Sequence, residues 1–98
     1  MTPLDAFRAS LAAAAPPEEL SPALQGLWWD GKGDWDRAHQ CAQDRDDADG
    51  AAVHAYLHRK EGDLANARYW YARAGRQPAT DALDAEWARL VADLLGGA

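Results

Sequence analysis

The chain has 98 residues, 48% hydrophobic and 27% charged, with a formal net charge of −6 and a sequence pI near 4.8. That size fits one domain. The acidic balance argues against nucleic acid or an anionic membrane surface as partner, because neutralising phosphates takes clustered Lys and Arg. Ala is abundant while the β-branched residues number only two Val and two Thr, with no Ile. This composition predicts an all-α fold. The single cysteine, Cys41, excludes an intrachain disulfide. No apolar run is long enough to cross a bilayer. The opening MTPLDAFRASLAAAAPP carries Asp5 and no basic stretch before its apolar part, which predicts a cytoplasmic protein without a secretory signal.

Five to six short helices are expected. Thr2-Pro3 starts the first with a capping hydroxyl and a proline at the first helical position. Leu4, Phe7, Leu11 and Ala14 follow at helical spacing, and Pro16-Pro17 ends it. Ser21-Pro22 starts a second, with Leu24, Leu27, Trp28 and Gly31 on one face. "GKGD" (31–34) breaks it, and a third carries Trp35, Ala38, His39 and Ala42 inward. After a polar connection, a fourth runs from about Asp49 to Glu61. Gly62-Asp63 breaks it, and Asp63 caps a fifth with Leu64, Ala67, Tyr71 and Ala74 as its inward stripe. Gly75 and Pro78 end that helix. Thr80 or Asp81 is expected to cap the last, whose stripe is Leu83, Trp87, Leu90, Val91, Leu94 and Leu95.

The chain repeats itself. "KGDWDRAHQCA" (32–42) and "EGDLANARYWY" (61–71) share Gly-Asp, a large apolar residue and an Ala three positions further on. Two copies of helix, Gly-Asp, helix predict a stacked pair of hairpins. The run Gly62, Asp63, Leu64, Ala67, Tyr71, Ala74 resembles the tetratricopeptide repeat (TPR) and its Sel1-like relatives, as do Gly33, Asp34, Trp35 and Ala38. Gly26 and Ala55 stand where such a unit carries a small residue in its first helix. The resemblance covers residues 22–78. It implies a TPR-like fold, flanked by helices at 2–15 and 80–95 acting as end caps, and the binding of a peptide or protein. The Gly-Asp breaks are 29 residues apart, short of the family's period of about 34. His54 and His58 stand where the family has apolar or aromatic residues. The run HAYLHRKEGD…ARYWY also resembles short bacterial proteins, which implies no activity.

His54 and His58, four apart, lie one above the other on a helix, the spacing of a two-histidine metal edge. Ala55 replaces the glutamate of the metalloprotease pattern. His39 on the inner face of its helix and Cys41 on the flank add two potential ligands between the hairpins. The plainer arrangement, hydrogen-bonded histidines in the core or its rim, is favoured because no second metal-ligand spacing accompanies the pair. Tyr69, Trp70 and Tyr71 point about 100° apart and make no single platform. Tyr71 belongs to the core, Trp70 is expected against the last helix, and Tyr69 outward. Asp44, Asp46 and Gly50 do not make a calcium loop, since its twelfth position is Ala55. Ser10 and Ser21 lack a nucleophile elbow, Cys41 and His39 point apart, and "GKGD" lacks the rest of a phosphate loop.

The functional expectation is a small bacterial interaction module with a protein or peptide partner, no catalytic residues and no cofactor. Its expected exposed contacts are Trp29, Tyr56, Arg59, Lys60, Tyr69 and Arg73, because Trp, Tyr and Arg dominate interface energetics. One competing expectation is a metal-binding protein using His39, His54, His58 and Cys41. Another is a structural homodimer that buries an exposed Trp face.

Overall fold

The computed structural model describes residues 2–44 and 46–96 and contains six helices: α1 Pro3–Ser10, α2 Pro22–Gly31, α3 Trp35–Gln43, α4 Ala48–Glu61, α5 Leu64–Ala74 and α6 Leu83–Leu94. No strand occurs among the described residues. None of these helices is long and apolar enough to cross a membrane. Helices α1 to α5 each begin at a side chain that accepts from a first-turn N–H: Thr2, Ser21, Asp34, Asp47 and Asp63. These caps satisfy amides that have no partner inside the helix. Helix α6 starts at Ala82 without a side-chain cap. Asp81 is not free to cap it, because Arg89 holds its carboxylate and Arg59 its carbonyl.

The two Gly-Asp turns have the same geometry 29 residues apart. Gly33 and Gly62 sit at φ of 85° and 90°, a region that side chains with a Cβ avoid. Asp34 N–H donates to the Trp29 carbonyl and Asp63 N–H to the His58 carbonyl, both at 2.9 Å. Each Asp then caps the following helix. The turns fold α2 on α3 and α4 on α5, and the two hairpins meet where α3 packs on α4. Helix α6 lies against α4, α2 and α1. It therefore covers the first helix of each hairpin rather than capping the end of the stack beyond α5.

Helix α1 ends at Ser10, short of the Ala14 expected from periodicity. The Lys32 ammonium takes the Leu11 and Ala13 carbonyls at 2.8 and 3.0 Å, which holds the chain in a turn there. Leu11 lies on Gly31, where a Cβ would come within 3.0 Å of the leucine side chain. The main core joins Phe7, Leu24, Leu27, Trp28, Val53, Tyr56, Leu57, Trp87, Leu90 and Val91. Its tryptophans find polar partners: Trp28 Nε1 donates to Ser10 Oγ and Trp87 Nε1 to the Leu27 carbonyl. A smaller cluster of Ala55, Ala67 and Tyr71 closes the α4/α5 hairpin. Leu64, expected in that stripe, is 56% exposed.

Two buried carboxylates tie the layers together. Glu86, 1% exposed, accepts from Arg59 at 2.8 Å and from Tyr71 Oη at 2.6 Å. Asp30, 5% exposed, accepts from Lys60 at 2.8 Å and from Tyr56 Oη at 2.7 Å. Burial, followed by the bond to the carboxylate, pushes both tyrosine hydroxyls far up, so they stay neutral donors. Removing one partner of a buried pair strands the other charge and costs about 3–5 kcal/mol, more than the pair itself is worth. Arg59→Met is expected to destabilise the protein by an amount in that range. Arg59→Met/Glu86→Gln, which keeps an acceptor for Tyr71, recovers most of the loss. Urea unfolding followed by circular dichroism measures both; an Arg59→Met variant as stable as wild type contradicts the ion pair.

Candidate metal centre

The joint between the hairpins brings three histidines together. Helix α3 supplies His39 and α4 supplies His54 and His58, one turn apart on the same side. His54 Nε2 and His39 Nε2 are 2.9 Å apart. One ring nitrogen from each of the three lies within 4.8 Å of the other two. His54 and His58 are 5% and 7% exposed, and His39 is half-buried.

Aromatic walls and one carboxylate fix the rings. Trp35 stacks on His39 with centroids 4.8 Å apart and planes within 9°. Trp70 stacks on His54 at 3.9 Å. Trp35 is itself anchored through Nε1 to the Leu57 carbonyl at 3.0 Å. Glu61 Oε1 lies 2.5 Å from His58 Nδ1. A carboxylate there accepts from Nδ1–H and holds the ring from behind, the arrangement that orients metal-binding histidines.

Burial, then the neighbouring His39 and His58, push His54 down to about 4 from its ordinary 6.5. Burial, then His58, lowers His39 as well, with Glu61 and Asp36 opposing. Both rings are therefore neutral at pH 7, the form that ligates metals. Between His39 and His54 one nitrogen donates and the other accepts. Two ring nitrogens thus share one proton at the place where a cation would sit. Four ligands at about 2.0–2.1 Å from zinc in a tetrahedral array stand about 3.3 Å apart. The His39–His54 pair would open by a few tenths of an ångström to admit the ion.

Cys41 does not join the cluster. Two residues from His39 on one helix, it points the other way, toward Gly26, where a Cβ would come within 3.5 Å of its own. Burial, then Asp44, raises its thiol, opposite to what a thiolate ligand needs. Of the expected partner contacts, Tyr56 is 2% exposed and bonded to Asp30, because α6 covers that side of α4. Arg59 and Lys60 are held by Glu86 and Asp30. Trp29 is half-buried, edge-on to Trp28 with the Arg37 guanidinium over its ring. Tyr69 is 53% exposed, and Arg73 lies beside it, bonded to Tyr69 Oη and Asp46. These six side chains form no single surface.

Trp70 meets His54 rather than the last helix, since α6 packs on α1, α2 and α4. Sequence reading also missed Glu61 and Trp35 as partners of the histidines. Both signals were present, as His58/Glu61 at i, i+3 and Trp35/His39 at i, i+4. No family model matches this chain, and no curated protein or solved structure matches it.

The lowered His54 gives a pH dependence with a definite sign. The unfolded chain binds the proton at 6.5 and the folded one near 4. Stability is full above 6.5 and is lost as pH falls toward 4. Chelator-treated protein is expected to show a falling urea midpoint across that window, with His54→Asn flattening the slope. A midpoint independent of pH there contradicts a buried, neutral His54.

Proposed function

We propose that the protein binds a divalent transition-metal ion between its two TPR-like hairpins, through His39, His54 and His58. The observation that carries this reading is the convergence of one nitrogen from each imidazole within 4.8 Å, with Glu61 behind His58. Imidazole nitrogen suits zinc, copper and nickel. Zinc fits best, since three nitrogen ligands with a fourth position left for water or a further ligand is a familiar zinc arrangement. An ion here would tie α3 of one hairpin to α4 of the next, replacing the proton shared by His39 and His54. Trp35 and Trp70 would hold the His39 and His54 rings in place, and Glu61 would raise the basicity of His58.

Untagged protein stripped with chelator and titrated with Zn²⁺ by calorimetry is expected to take up one ion per chain, with affinity of about micromolar or better, some −8 kcal/mol. Glu61→Gln is expected to weaken binding by about 10–100-fold. His54→Asn/His58→Asn is expected to abolish it while circular dichroism still shows the fold. No stoichiometric uptake, or uptake that survives the double substitution, contradicts the reading.

A further inference from the structure

The internal repeat shows what kind of element covers the outer edge of a second helix. On α3 that edge is made by Trp35 and His39, one turn apart. Helix α4 lies across it, taking the Trp35 indole on its Leu57 carbonyl and meeting His39 with His54. A shift of 29 residues superimposes the two Gly-Asp turns and places Leu64 and Arg68 of α5 where Trp35 and His39 stand in α3. Among the described residues no helix lies across this second edge. Helix α6, next in the chain, packs instead on α1, α2 and α4. Leu64 is left 56% exposed, against 53% for Tyr69. Arg68 is exposed and makes no hydrogen bond or ion pair among the described residues. Beside them a cleft of about 170 Å³ runs over Ala67 and Tyr71 to Pro78 and Ala79.

We propose that this open edge of α5, centred on Leu64 and Arg68, is the docking site for an acidic amphipathic helix of another protein. The geometry of the occupant comes from the α3/α4 joint, where the same edge is filled by a helix. Its chemistry comes from the edge itself. An apolar side chain fills the cleft next to Leu64, and a carboxylate about one turn away pairs with the guanidinium of Arg68, which suits carboxylates through two parallel N–H bonds. A second copy fits poorly, because α5 (LANARYWYARA) carries no acidic residue, so pairing two α5 edges supplies no carboxylate from that helix for Arg68. The surface is separate from the histidine cluster and does not depend on a metal there.

A displayed library of helix-forming peptides, selected on wild-type protein, tests the surface. The enriched peptides are expected to carry Asp or Glu three or four positions from a large apolar residue. Their binding is expected to fall about tenfold or more in Leu64→Asp and in Arg68→Glu, and to be recovered against Arg68→Glu by peptides with Lys in place of the acid. Both substitutions are at exposed positions, and unchanged thermal unfolding verifies that the protein itself is intact. Peptides without the acidic pattern, binding indifferent to both substitutions, or no enrichment overturns the proposal. So does a concentration-dependent dimer in light scattering that Leu64→Asp abolishes, which would assign the edge to a second copy.

Discussion

Helix α4 is buried without interruption from Gly50 to His58, and the polar groups it carries in that interval have to be satisfied inside the protein. Helices α2, α3, α5 and α6 all lie against it. The polar side chains of the run HAYLHRK find their partners on α2, α3, α6 and the end of α4 itself. His54 meets His39 of α3, Tyr56 and Lys60 meet Asp30 of α2, Arg59 meets Glu86 of α6, and His58 meets Glu61 at the helix end. No buried side-chain polar atom among the described residues lacks a partner. The layers are thus fixed by a shared requirement of one central helix as well as by apolar packing.

Within that requirement the histidines stand apart from the ion pairs. Asp30 and Glu86 are each matched by a cation and a neutral hydroxyl, which closes their chemistry. His39 and His54 satisfy each other with one proton between two nitrogens, and His58 is held from behind by Glu61. Imidazoles facing one another, one of them with a carboxylate at its back, are what a metal ion needs, and the walls of Trp35 and Trp70 keep the His39 and His54 rings from turning outward. The joint between the hairpins is consequently the place where one cation would add most to the stability of the stack.

The local features were legible in the sequence because their causes are local. The caps at Thr2, Ser21 and Asp63, the Gly-Asp breaks and the repeat at 29 residues reappear as geometry, while the cap expected at Thr80 or Asp81 does not. What the sequence hid was set by distant partners. His54 and His58 could be placed on one side of α4 from their spacing, but the third ring comes from another hairpin. His54 and His58 are buried and His39 half-buried, with His39 bonded to His54 and His58 to Glu61. Spacing alone leaves Tyr56 at the surface, because neither the path of α6 across α4 nor the partner Asp30 on α2 is encoded nearby. Periodicity places Leu64 in the core because it takes every apolar position to have a neighbour, and no helix among the described residues covers that edge of α5. Cys41 failed as a ligand for a reason the sequence did contain: two residues along a helix turn the side chain by about 200°.

X-ray absorption spectroscopy of the protein loaded with one equivalent of Zn²⁺ tests the central claim most directly. Three imidazole nitrogens at about 2.0–2.1 Å, with the outer-shell pattern of ordered rings and one light-atom ligand besides, is the predicted spectrum. A sulfur scatterer at about 2.3 Å, which would bring in Cys41, or a shell of oxygen alone would contradict a centre built from His39, His54 and His58.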